Sequence, residues 1–323
     1  MIIDVHGHYI PPAMLKPVYR DLFDVRVTER GKRIFVKGAD ILRLDDGLME
    51  INRQVANMDR CGVGMRLLSV PPFTFLYEAE IAAEWSRDFN DAMLRDASSF
   101  KSRFRLLATL PMMQIGAAVD ELVRVMADPV FAGAEIATNI SGMDLDDQAL
   151  YPFWERAEKL GAFILIHPHY YFAEKRLHRK YLQNMIGNPL ENILAAFNLM
   201  AGGILERFPG LKICLCHGGG YLAYGVARLN QGFRVREELA DMACSPGELV
   251  RRFYVDSILH DRDCLEFLIR RMGADRVLMG SDYPFDFSDT DPVRSVNAVR
   301  IGEADRQAIL GGNVKSLLPP GPL

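Results

Sequence analysis

The chain has 323 residues, of which 49% are hydrophobic and 25% charged, an ordinary composition for a folded globular protein. With 38 Lys and Arg against 42 Asp and Glu, its net charge of −4 gives no sign of a surface for nucleic acid or anionic membrane. The opening MIIDVHGHY has no basic segment and includes Asp4, unlike a secretory signal, and the apolar stretch 193–205 is too short to span a bilayer. We therefore expect a cytoplasmic protein that binds neither nucleic acid nor membrane.

Eight apolar segments rich in β-branched residues predict eight strands. They lie at 1–6, 65–71, 104–110, 131–138, 163–167, 212–217, 252–257 and 276–282. Helical patterns fill most of the intervals, at 47–61, 76–100, 114–128, 147–160, 189–207 and 262–273. Because the strand segments are hydrophobic throughout rather than alternating, they predict a parallel sheet that is covered on both faces. Eight strand–helix units over this length predict a single domain, a (β/α)8 TIM barrel spanning residues 1–323.

The interval after the first strand is irregular. Within residues 10–46, the segments DVRVTER and RIFVKG predict a small β-hairpin inserted into the barrel. No GxGxxG or P-loop motif is present, which disfavours the alternative of a doubly wound, nucleotide-binding sheet.

Metal-binding residue types gather at the ends of the predicted strands. They are His6 and His8 in IIDVHGHY, His167 in FILIHP, His217 in KICLCHGGG and Asp282 in RVLMGSDYPF. Residues two apart on a strand face the same side, so His6 and His8 can approach one metal ion together. Imidazole and carboxylate are ligands of divalent transition metals, and a barrel carries its chemistry at the C-terminal ends of its strands. One such histidine could be an ordinary core residue, but the whole set favours a metal centre.

Five motifs in this order resemble a known family over nearly the whole chain. They are IDVHGHYIPP, the HP of LIHPHYY, CHGGGYLAYGVAR, YVDS and GSDYPF. The pattern is similar to that of the amidohydrolase superfamily, in its branch of 2-amino-3-carboxymuconate-6-semialdehyde decarboxylase-like enzymes. The resemblance implies a zinc-dependent, non-oxidative decarboxylase that works as a homodimer on a (β/α)8 barrel.

The resemblance also assigns roles to individual residues. It implies that His6, His8, His167 and Asp282 bind the metal and that His217 is the catalytic acid/base. It implies that Arg228 reaches the substrate carboxylate in the neighbouring subunit. The family uses a further arginine from the inserted segment, and Arg43 lies nearest to that place.

The chemistry can also be argued from the residues alone. A metal held by three imidazoles and a carboxylate leaves room for a water molecule, whose pKa it lowers towards about 7. His217 can take or return a proton because histidine titrates near pH ~6.5, and Asp282 can share that proton. We expect zinc, with manganese or cobalt as alternatives, and no organic cofactor.

A substrate carboxylate is held best by the planar fork of an arginine, and Arg228 is our first choice. On a helix beginning near Tyr221, Arg228 would lie ~10 Å or more from His217, too far for easy contact with its own metal. We therefore expect it to act in trans across a two-fold dimer.

One segment departs from the family pattern. The family has a tryptophan directly after the HP of the fifth strand and more in the following loop, whereas this chain has His169 and Tyr170 and no tryptophan there. We expect His169 and Tyr170 to contact a different substrate ring or side group, and His260 to lie at the rim of the pocket. The substrate class is therefore a small carboxylic acid, either a carboxylated muconate semialdehyde or a hydroxy- or amino-aromatic acid.

Three functional hypotheses remain. The first is the metal-dependent decarboxylase, which the HGGG turn and Arg228 favour. The second is a hydrolase that uses the same metal to open an amide, lactone or C–C bond, and it would add water across that bond rather than release CO2. The third is a binding protein without turnover, which the complete set of metal-type residues disfavours.

Overall fold

The computed structural model describes residues 1–78, 80–100, 102–169 and 175–321. Eight strands form one sheet in which every neighbouring pair is parallel. In sheet order they are β1 (Ile3–His8), β2 (Met65–Ser69), β3 (Phe104–Ala108), β4 (Phe131–Ala137), β5 (Phe163–His167), β6 (Lys212–Leu215), β7 (Tyr254–Asp256) and β8 (Val277–Leu278). Each lies within or overlaps a segment that the sequence predicts as a strand.

The sheet closes on itself between its first strand and the segment that contains and follows β8. The backbone N–H of Val5 donates to the carbonyl of Met279 (2.9 Å), and that of His8 donates to Tyr283 (2.8 Å). The N–H of Asp282 donates in turn to the carbonyl of His6 (2.8 Å). These bonds confirm the predicted (β/α)8 barrel.

Helices follow the barrel strands. They are α1 (Ile51–Cys61), α2 (Ala82–Ala97), α3 (Ile115–Met126), α4 (Tyr151–Leu160), α5 (Asn188–Ala201), α6 (Ile204–Arg207), α7 (Leu222–Val235), α8 (Pro246–Leu249), α9 (Arg262–Met272), α10 (Pro292–Asn297), α11 (Glu303–Gln307) and α12 (Asn313–Leu317). Their apolar faces pack on the barrel, and both tryptophans, Trp85 and Trp154, are buried there. Within the ranges that the structure describes, none of the helices has the length and hydrophobicity to cross a membrane.

The insertion after β1 is a small antiparallel sheet. Phe23–Thr28 and Gly31–Val36 form the predicted hairpin, but a third strand, Ala39–Arg43, pairs with Gly31–Val36. The prediction of two strands was incomplete because the third has five residues, all of them exposed or only half-buried, and so lacks a hydrophobic pattern. This third strand ends at Arg43.

In addition to the apolar contacts between helices and barrel, a separate cluster of apolar side chains fills the interior of the barrel. Val5, Leu165 and Cys216 belong to it, and all three are fully buried. The pairing of β1 with β2 is irregular between Asp4 and Gly7, so the strict alternation of side chains is interrupted there. As a result the consecutive residues Val5 and His6 both face the barrel interior, where Cys216 Sγ lies 3.9 Å from His6 Nε2.

Candidate active site

Four side chains with metal-binding atoms meet at the C-terminal end of the barrel. One ring nitrogen each of His6, His8 and His167 and one carboxylate oxygen of Asp282 all lie within 4.8 Å of one another, and all four residues are buried. β1 supplies the first two, β5 ends at His167, and Asp282 follows β8. The structure therefore brings together the four positions that the sequence indicates as ligands.

Each of the three imidazoles is oriented by an acceptor at Nδ1. The Nδ1 atoms of His6, His8 and His167 lie 2.8 Å from Asp256 Oδ2, 3.1 Å from the carbonyl oxygen of Val70 and 2.9 Å from the carbonyl oxygen of Pro168, respectively. Because these partners are acceptors, Nδ1 carries the proton and Nε2 keeps a free lone pair. Partners of this kind fix the ring orientation of metal-binding histidines.

The free lone pairs converge on one small space. The Nε2 atoms of His6 and His8 are 3.1 Å apart, and neither can donate to the other when both protons sit on Nδ1. His167 Nε2 and Asp282 Oδ1 are buried without a hydrogen-bond partner in the described part of the chain. Since buried polar atoms are nearly always satisfied, this cluster fits a divalent cation, which would satisfy all four atoms at once.

The charge states of His167 and Asp282 suit a metal. Burial lowers the pKa of His167 well below its usual value, and the neighbouring imidazoles lower it further, so this ring is neutral. Burial by itself raises the pKa of Asp282, but the neighbouring imidazoles of His6, His217 and His8 outweigh it and hold that pKa well below its usual value. Neutral imidazole and ionised carboxylate are the forms that bind metal.

His217 stands beside these four residues. Its Nε2 lies 3.5 Å from the second carboxylate oxygen of Asp282, Oδ2. Burial lowers the pKa of His217, but the hydrogen bond and negative charge of Asp282 outweigh burial and leave the pKa raised. His217 is thus placed to hold a proton and pass it to a group in the adjoining cavity.

A tight turn presents His217 to the cavity. His217 itself has φ = +53°, a conformation that is uncommon for residues other than glycine and often found at functional sites. Three glycines follow, and a Cβ at Gly220 would lie 2.1 Å from the carbonyl oxygen of Pro189. Only glycine therefore allows the turn to pack against the start of α5.

Asp256 is a functional residue that the sequence analysis missed. One carboxylate oxygen accepts from His6 Nδ1, and the other accepts from the backbone N–H of Gly218 at 2.8 Å. A single buried carboxylate thus orients the His6 ring and also holds the turn that carries His217. Its place in YVDS, at the end of a buried strand, was the signal that could have found it.

A cavity of about 310 Å³ adjoins His167, His217 and Asp282. Aromatic rings form much of its wall, namely Phe73, Tyr181, Phe285 and Phe287. The Phe285 ring lies 4.9 Å from the His8 ring and 6.1 Å from the Phe73 ring, measured between centroids. An apolar cavity with a few convergent polar groups is typical of a site for a small organic molecule.

The polar residues of the cavity wall come mainly from outside the barrel strands. Arg43, Asn184, Asn188 and His260 are among them. Arg43 is the one lysine or arginine among the described lining residues, and it comes from the inserted sheet. His260 lines the cavity, as expected from its position after β7.

Two further predicted residues, Arg228 and His169, lie elsewhere. Arg228 is exposed on α7 and does not line the cavity of its own chain as far as the described residues define it. His169 packs edge to face against Phe75, with centroids 5.8 Å apart, and is likewise absent from the described cavity wall. Tyr170 lies outside the described residues.

Comparison with known proteins confirms the resemblance. Residues 3–319 match the model of the amidohydrolase family. The 2-amino-3-carboxymuconate-6-semialdehyde decarboxylase of Dictyostelium discoideum is 31% identical over 327 residues, covering 98% of this chain and 91% of the relative. The gamma-resorcylate decarboxylase of a Polaromonas species is 29% identical over 300 residues, covering 88% and 92% of the two chains.

A solved structure supports the fold. The dihydroxybenzoic acid decarboxylase of a Polaromonas species, determined with manganese and the inhibitor 2-nitroresorcinol, superposes with a TM-score of 0.80 at 24% identity. The superposition covers 98% of this chain and 96% of that one. With its barrel and a family model matched from residue 3 to residue 319, this chain belongs to the amidohydrolase family.

Proposed function

We propose that this chain is a metal-dependent, non-oxidative decarboxylase that releases CO2 from a hydroxy- or amino-aromatic acid or a carboxylated muconate semialdehyde. The observation that carries the proposal is that Asp282 lies between His8, a proposed metal ligand, and His217, the proposed acid/base. Its Oδ1 lies 3.0 Å from His8 Nε2, and its Oδ2 lies 3.5 Å from His217 Nε2. The decarboxylase activities named for the similar proteins support it.

His6, His8, His167 and Asp282 would hold the metal. Three nitrogens and one oxygen suit zinc, which is our first choice, with manganese or cobalt as alternatives. When bound, the metal would act as a Lewis acid and withdraw electron density from an oxygen atom next to the reacting carbon.

His217 would supply the proton for the reaction. In its protonated form it gives a proton to the carbon that bears the carboxylate. The electron pair of the broken C–C bond then returns to the unsaturated system, and CO2 leaves without net oxidation or reduction. His217 regains its proton from solvent, and the ionised Asp282 stabilises the imidazolium between turnovers.

Two arginines would hold the substrate. Arg43 lines the cavity in the same chain, and Arg228 would arrive from the second subunit of a homodimer. Tyr221 lines the cavity at the start of α7, and Tyr224 on that helix is 84% exposed, so a partner packed on α7 would also reach the cavity mouth. This adjacency supports action of Arg228 in trans.

Metal analysis of the purified protein, followed by an isotope experiment, tests the proposal. The protein is incubated with ortho-hydroxy and ortho-amino aromatic acids in D2O and, separately, in water labelled with oxygen-18. Decarboxylation gives CO2 and a product with one deuterium at the vacated carbon and no oxygen-18 in the ring product. Oxygen-18 in the organic product instead identifies the hydrolase.

A further inference from the structure

Two asparagine side chains line the cavity along one helical stretch. Asn184 lies in the π-helical turn Gln183–Gly187, and Asn188 begins α5, which continues the same stretch. Residues four apart on a helix face the same side, and both asparagines line the cavity that contains His217. A π-helical turn joined to an α-helix is frequent at functional sites.

Neither amide has a hydrogen-bond partner among the residues that the structure describes. Asn188 is only 7% exposed, yet its carboxamide makes no hydrogen bond with any described residue. The half-buried carboxamide of Asn184 makes none either, again among the residues described. One turn further along, Asn192 is completely buried, and neither of its carboxamide atoms has a partner in the described part of the chain. Because buried polar groups are almost always paired, the amide of Asn188 at the cavity wall indicates a partner that the described residues do not supply.

The chemistry of that partner follows from the amide group. A carboxamide has two N–H donors and a carbonyl acceptor but no charge, so it suits a neutral hydroxyl or amino group better than a carboxylate. The carboxylate can instead be held by Arg43, the cation in the described wall of the same cavity. Phe73, Phe285 and Phe287 offer apolar surface for the carbon framework between these polar groups.

We propose, building on the function proposed above, that Asn184 and Asn188 bind a hydroxyl or amino substituent of the substrate. This substituent is additional to the group beside the leaving carboxylate. The enzyme then selects acids that carry two such substituents over acids that carry one. Together the two amides should raise the affinity for such acids about tenfold.

Direct binding tests this selection without requiring turnover. Calorimetry on the metal-loaded protein compares 2-hydroxybenzoate with its derivatives that carry one more hydroxyl or amino group on the ring. Wild-type protein should bind at least one derivative about tenfold more tightly than 2-hydroxybenzoate. In Asn188→Leu and Asn184→Leu the ratio of the affinity for the derivative to that for 2-hydroxybenzoate should fall towards one, while the affinity for 2-hydroxybenzoate changes little. Gln183→Leu is the matched control, because it removes an amide from the same turn outside the described cavity wall and should keep the preference.

The two proposals fail in different ways. A preference that is absent from the wild type, or that persists in both leucine variants, overturns the role of the asparagines even if CO2 is released. Absence of binding by every acid overturns it as well. A preference that the leucine substitutions remove supports the role of the asparagines, even in a protein that releases no CO2. Asn184 is half-buried, so Asn184→Leu keeps the test decisive if Asn188→Leu does not fold.

Discussion

The inner and outer parts of the cavity are built in opposite ways. The floor consists of His167, His217 and Asp282, with His6 and His8 clustered beside them, and the rim consists of Arg43, Tyr181, Asn184, His260 and Phe287. The floor residues and these two histidines stand on barrel strands or within a few residues of their ends, and partners such as Asp256 orient them. Rim residues come from the insertion and the loops, where Tyr181 is 54% exposed and Phe287 36%. The contrast fits the proposed function, in which the barrel holds the catalytic groups and segments that can vary without disturbing the barrel bind the substrate.

The strongest test of the floor is removal of a proposed ligand. His167→Ala should lower the metal content well below one ion per chain and abolish activity, because the remaining ligands leave the site incomplete. Metal analysis and CO2 release measure both effects. His178→Ala, at an exposed position, serves as the control and should keep both. Full metal content together with full turnover in His167→Ala would refute the ligand assignment.

A second change within the floor separates proton transfer from metal binding. His217→Ala should keep its metal and lose ~10²–10⁴-fold in kcat, the usual effect of losing a general acid or base. Steady-state kinetics measures kcat, and metal analysis of the same preparation measures the bound metal. If the folded variant loses its metal instead, His217 is a ligand and its assigned role is wrong.

Arg228 tests whether a second chain completes the rim. Arg228→Ala should lose about 10–100-fold in kcat/KM, as expected for a charged hydrogen bond to substrate. When this variant exchanges subunits with His217→Ala, each hybrid dimer gains one site with an intact His217 and a partner's Arg228. Activity should therefore return on mixing. Absence of recovery, with subunit exchange demonstrated by differently tagged chains, would show that Arg228 does not act in trans.

The smallest effect is expected at Arg43. Arg43→Ala should raise KM about tenfold and leave metal content unchanged, because it removes one contact to substrate at an exposed position. Arg30→Ala is the matched control, since Arg30 is exposed in the same insertion and is absent from the described cavity wall. An unchanged KM in Arg43→Ala would place that arginine outside the binding site.

The floor was predictable from the sequence, whereas of the rim residues only Arg43 and His260 were. Buried parallel strands leave continuous hydrophobic runs, and a histidine or aspartate at the end of such a run is conspicuous. Asn184 and Asn188 carry no comparable signal, because two asparagines four residues apart in a polar segment are common on any helix surface. The irregular pairing of β1, by which the consecutive residues Val5 and His6 both face inward, also escaped prediction because periodicity cannot reveal it.

The seam of the barrel has a consequence for stability. His8 near the start of the chain and Asp282 near its end face each other across the seam, with 3.0 Å between Nε2 and Oδ1. A metal ion bound there would cross-link nearly the whole length of the polypeptide in the folded state alone. Binding at a hundred times Kd would add about 2.7 kcal/mol to the free energy of unfolding. The melting temperature would then depend on the supply of metal, and chelation would loosen the barrel at the place where its two ends join.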